Sequence, residues 1–197
     1  MTDPFHRAAR GAVVVLAAAT LLVGCAGSGT LLRASDVEGV KDADHSITLP
    51  PGRVWCFGVA SDAGQSVTRQ STLVFDEKNR VVAGAAVITH EDATADEMLA
   101  EAELDAEDCA RGAEGSEAAS IEPLMDLDRG VLGWRFVDDS IEYADGTTGR
   151  WGEFALVPLD ENHLLAVGFE TVDDDPPVDL DELIRIARER AERSLDD

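Results

Sequence analysis

The stretch "LLVGCAGSGT", Leu21 to Thr30, closes an apolar run on a cysteine and follows it with small residues. A thiol there, between a greasy segment and a pliant one, is suited to covalent modification at a membrane. The other two cysteines, Cys56 and Cys109, lie 53 residues apart. That separation lacks the short ligand spacing of a zinc site, and no histidine adjoins either residue. His45, His90 and His163 are scattered. His90 stands in "THEDA" beside Glu91 and Asp92. Those acids favour the positive end of a following helix, a simpler role than metal binding or general-base work. Asp173-Asp174-Asp175 holds the corresponding place before a second helix. Neither it nor Asp126-Leu127-Asp128-Arg129-Gly130 meets the ligand spacing and glycine placement of an EF-hand loop. No H-E-x-x-H, nucleophile elbow or phosphate-cradling glycine loop is present; Gly146 and Gly149 belong to a hairpin turn. The sequence therefore offers no catalytic residue, metal ligand or cofactor site.

Cys25 gains its meaning from what precedes it. A short head carries Arg7 and Arg10, and "GAVVVLAAATLLV" then runs uninterrupted from Gly11 to Val23. A basic head, an apolar run and small residues at a cleavage point make a secretory signal. The run falls short of the roughly 20 residues needed to span a bilayer. Arg7 and Arg10 are not adjacent, which disfavours twin-arginine export. Leu22, Val23, Gly24 and Cys25 together resemble the bacterial lipobox. That resemblance implies a lipid joined to the Cys25 sulfur and cleavage by signal peptidase II just before it. It implies a protein on the extracytoplasmic face of the cell membrane, held by acyl chains worth about 0.8 kcal/mol per buried CH₂.

Residues 1–24 are then leader, and 173 of the 197 residues remain, enough for one domain with a sizeable core. The leader holds Asp3, Arg7 and Arg10, one net positive charge, so the remainder carries −25 against −24 for the whole chain. Nucleic acid is excluded as a partner by that charge, and an anionic bilayer would repel the domain surface. The acid reads as a solvating surface or as salt adaptation. Residues 25–46, rich in Gly, Ser and Asp and without periodicity, read as a lipidated flexible tether. The folded domain is expected over 47–197. In an exported protein Cys56 and Cys109 read as a disulfide, with two buried free thiols as the alternative.

Two helices must position whatever the domain offers. Thr94 and Glu97 make a capping box for one running to about Arg111, with Gly112 as its stop. Ala95, Met98, Leu99, Ala102, Ala106 and Cys109 form its apolar stripe, and Leu104 faces away. Asp179 caps the second, about Leu180 to Leu195, whose stripe holds Leu183. A hairpin precedes each helix, and "GRVWCFGVASD" upstream parallels "GVLGWRFVDDS". The expected architecture is α+β: a two-layer sandwich with an antiparallel sheet of six or more strands, both helices on one face and a possible βββα internal repeat. Trp55, Trp134 and Trp151 are core or rim candidates, while "SIEPLM" is either a short strand or a connector. The sheet, the helix ending in Cys109 and the final "LDELIRIARERAERSL" resemble sensor-type domains of actinobacterial envelope lipoproteins. Relatives of a receptor Ser/Thr kinase extracellular domain are among them. The resemblance implies binding of a small ligand or an envelope protein rather than catalysis. An assembly factor without a pocket is the alternative, and a hydrolase ranks third.

Overall fold

The computed structural model describes residues 30–40, 42–44, 66–78, 80–113, 119–142 and 146–196. Its strands are β1 (Asp42–Asp44), β2 (Ser66–Phe75), β3 (Val81–His90), β4 (Ala119–Pro123), β5 (Leu132–Glu142), β6 (Thr148–Pro158) and β7 (His163–Thr171). Its helices are α1 (Ala95–Ala113), between β3 and β4, and α2 (Leu180–Leu195), which follows β7. The strands make one antiparallel sheet in the order β1-β2-β3-β7-β6-β5-β4. β7 thus returns to the middle and pairs with β3, while "SIEPLM" supplies the edge strand β4.

The helices form where the caps place them. Thr94 N donates to Glu97 Oε2 at 2.8 Å, and Glu97 N donates back to Thr94 Oγ1 at 3.3 Å. Glu182 N donates to Asp179 Oδ1 at 3.2 Å at the head of α2. Gly112, expected as a stop, lies just inside α1.

The helices do not share a face of the sheet. Met98, Leu99, Ala102 and Ala106 of α1 pack with Ala86, Ile88, Phe154, Leu156, Leu164 and Ala166. Leu183, Ala187 and Ala191 of α2 pack with Ala85, Val87, Ala155, Val157, Leu165 and Val167. These strand residues alternate along β3, β6 and β7, and successive side chains on a strand point to opposite faces. The sheet is therefore the middle of three layers, with α1 above and α2 below. This corrects the expectation of both helices on one face. The physical reason is visible in the central strands: Phe154 to Val157 and Leu164 to Val167 are all buried, as strands covered on both sides must be. The hairpin-then-helix order does recur as β2-β3-α1 and β6-β7-α2. An axis relating antiparallel β3 and β7 would stand perpendicular to the sheet and keep both helices on one side, so the halves lack that symmetry. The first strand expected of the repeat, Gly52 to Asp62, lies outside the described residues.

Most of the described part of the expected tether is built into the domain. Leu31 and Leu32 are 0 % exposed and join Val37 in the cluster under α2. Arg190 of α2 clamps them: its Nη1 donates to Leu31 O at 3.1 Å and its Nη2 to Asp36 Oδ1 at 3.0 Å. Glu38 N donates to Pro177 O at 3.2 Å, and Asp42–Asp44 then pairs with the end of β2. Burial pushes the Asp36 carboxyl up, but hydrogen bonds from Arg190 and the Arg33 amide, with both arginine charges, outweigh it and hold the net value below the ordinary one. Among the described residues packing is already present at Leu31, ahead of the expected domain start near Ile47, because two adjacent leucines are costly to leave in water.

Candidate functional site

Large side chains crowd the sheet face under α1. Trp134 stacks on Phe154 with centroids 5.3 Å apart at 23°. Phe154 fits because Gly168 lies beside it in register; a Cβ there would come 2.5 Å from the Phe154 Cβ. Along α1 the buried stripe changes from Met98 and Leu99 to Ala102 and Ala106. Ala102 and Ala106 leave the middle of the helix short of material to fill the space beside the aromatic floor.

A cleft of about 300 Å³ opens there, against the β4–β5 hairpin. Ile121, Pro123, Leu124, Met125, Leu132 and Trp134 give it an apolar floor and outer wall, while Glu103, Ala106 and Glu107 of α1 form the inner wall. The hairpin loop is fixed by Leu124 N donating to Gly133 O at 2.9 Å and Val131 N donating to Asp128 O at 3.1 Å. Gly130, with φ of 85°, permits the turn. Leu124 and Leu127 pack against the cluster on the α2 side. Met125 instead stays 84 % exposed at the cleft. Leu104 of α1, 64 % exposed, is three residues before Glu107 on the same helix.

A second cleft of about 310 Å³ lies near the β2–β3 turn, lined in part by Glu38, Asp76, Arg80, Glu170 and Asp173. Its polar groups already work within the fold. Asp76 takes amide hydrogens from Lys78 at 2.8 Å and Arg80 at 2.9 Å, and its carboxylate pairs with Arg80 Nε at 2.7 Å. Burial raises the Asp76 pKa, but those bonds and the Arg80 charge outweigh it, leaving the carboxyl below its ordinary range. Arg150 Nη1 likewise bonds Glu170 at 2.9 Å.

His90, His163 and the acidic run close turns, and His45 lies outside the described residues. Asp92 N donates to His90 Nδ1 at 3.1 Å. His163 Nδ1 lies 2.8 Å from Asp160 Oδ1, which also accepts from Asn162 N at 2.8 Å. Trp151 Nε1 donates to Asp173 O at 2.7 Å, and its ring meets Phe169 edge-on at 5.6 Å. Among the described residues no group of three or more His, Cys, Asp or Glu could hold a metal ion. Leu22, Val23, Gly24, Cys25, Trp55 and Cys56 lie outside the described residues, and Cys109 is placed only as a position within α1. Trp134 is core at 5 % exposure. Sequence reasoning missed the cleft. Its signals were the change from Leu to Ala along the α1 stripe and an unpaired methionine in the β4–β5 loop.

No family model, curated protein or solved structure matches the chain.

Proposed function

We propose that the chain is an exported lipoprotein, anchored by a lipid on Cys25, whose domain binds a ligand or protein partner at the α1–β4–β5 cleft. The reading rests on the lipobox-like Leu22-Val23-Gly24-Cys25 for the anchor. For binding, a single observation carries it: an apolar cleft bordered by a few polar groups, the usual form of a ligand site. The packed Leu31 shapes the anchoring. Six residues from Cys25 span at most about 20 Å, so the domain would sit close to the bilayer with its α2 layer toward the anchor. α2 suits that side. Asp181, Glu182, Glu189 and Glu192 are balanced by Arg185, Arg188, Arg190 and Arg193. Among them, Arg185 bonds Glu182 and Glu189, and Arg188 bonds Glu192. The cleft opens on the other layer, away from the membrane.

Two measurements test the proposal. Cys25→Ser should move the protein out of the membrane fraction or leave it unprocessed; normal processing with retained membrane attachment would refute the anchor. The neutral dye N-phenyl-1-naphthylamine should brighten on binding the purified domain, and the exposed substitution Met125→Glu should abolish that signal. Dye binding indifferent to Met125→Glu would refute the cleft.

A further inference from the structure

The cleft's charge selects among its possible occupants. α1 carries Asp96, Glu97, Glu101, Glu103, Asp105, Glu107 and Asp108 against Arg111 alone, a net of −6, where α2 balances to zero. Glu103 and Glu107 stand exposed on the inner wall, and among the residues whose side chains are described no Lys or Arg lines the cleft. At about 300 Å³ the cleft is at the small end of ligand pockets, room for one or two apolar side chains. Apolar surface continues outside it through Met125 and Leu104. Exposed methionines adapt to varied apolar partners.

We infer that the cleft docks a basic, apolar segment of a protein partner: one or two large apolar side chains enter beside Trp134, and flanking Lys or Arg residues meet Glu103 and Glu107. The inference rests on the binding role proposed above and narrows it to one occupant. Apolar contact with Ile121, Leu132 and Met125 supplies the non-directional attraction. The carboxylates add orientation and on-rate and reject acidic segments, as rim charges do at protein interfaces.

The test uses the soluble domain, residues 25–197 carrying Cys25→Ser, and three fluorescent peptides read by anisotropy: KKLFLKK, EELFLEE and KKSGSKK. The first should bind, and the other two should bind at least about tenfold more weakly. Glu103→Gln with Glu107→Gln should weaken KKLFLKK by about 2- to 30-fold, the product of two exposed ion pairs, and flatten its salt dependence. Asp174→Asn with Asp175→Asn removes the same charge elsewhere and should leave binding unchanged, which separates the cleft from the general acidity of the chain. Met125→Ser should weaken KKLFLKK while preserving its preference over EELFLEE. Equal binding of EELFLEE, or equal losses from the two double variants, would overturn the inference. If no peptide binds while the neutral dye still depends on Met125, the basic partner is refuted and the binding cleft survives. If neither binds, both fall.

Discussion

Leu32→Ala decides whether residues 31–37 belong to the domain. Leu32 is 0 % exposed and packs in the cluster that contains Leu183, Ala187 and Val167. Removing its isobutyl branch forfeits the transfer energy of the lost carbons and leaves a cavity, together about 2–5 kcal/mol for a buried leucine. Whole domains are stable by only about 5–15 kcal/mol, so the loss should be conspicuous. The assay is urea unfolding of residues 25–197 carrying Cys25→Ser. With a slope near 2 kcal/mol/M, the midpoint should fall by about 1–2.5 M. Leu104→Ala, at a 64 % exposed site, should shift it by no more than about 0.25 M, and serves as the control. A flexible tether would give Leu32→Ala the same small effect as the control. That result would refute the packed segment and, with it, the proposed close approach of the domain to a lipid on Cys25.

Leu99→Ala and Leu183→Ala should each cost about 2–5 kcal/mol, and the pair should add within about 0.5 kcal/mol because the sheet separates them; strong coupling in the double-mutant cycle would put the helices side by side. Gly168→Ala should lose about 1–3 kcal/mol in thermal or urea unfolding, since the new Cβ has nowhere to go beside Phe154. Asp36, Asp76 and Asp160 have folded values below the ordinary 3.8. Burial raises each, and the outweighing contacts are Arg190 for Asp36, the Arg80 amide for Asp76 and the Asn162 amide for Asp160. Their contribution is complete above the unfolded value and disappears as pH falls through the folded one, so stability should decline from about pH 5 downward. Asp36→Asn should make that decline shallower.

Helix positions were readable in the sequence because caps and stripes are local. Thr94 with Glu97 and Asp179 with Glu182 mark both starts, and Leu180–Leu195 has the expected bounds. The face each helix covers is not local. It depends on whether a central strand is covered once or twice, and the signal was present in the unbroken "FALV" and "LLAVGF" runs. A one-sided sheet would have placed polar residues at every second position there. Leu31 and Leu32 escaped for a related reason. Surrounded by Gly, Ser and Asp, they have no periodicity, and their place comes from the core under α2 and the Arg190 clamp, both distant in sequence. The cleft is harder still. It arises from what α1 lacks at Ala102 and Ala106, and a missing side chain becomes a cavity only once its neighbours are fixed.

The three-layer arrangement also separates charge in a way that a two-layer one would not. α1 at −6 and a balanced α2 stand on opposite sides of the sheet, two layer spacings of about 10 Å apart. At physiological ionic strength the Debye length is about 8 Å, so each helix presents its own charge rather than that of the whole domain. The side clamped to Leu31 and Asp36 can then lie near an anionic surface without the repulsion that the overall charge suggests. The acidic side keeps its potential for cationic groups approaching the cleft. Had both helices packed on one face, the arginines of α2 would have stood within reach of Glu103 and Glu107 and competed for them. The same sheet that buries both apolar stripes thus isolates the two surfaces electrostatically.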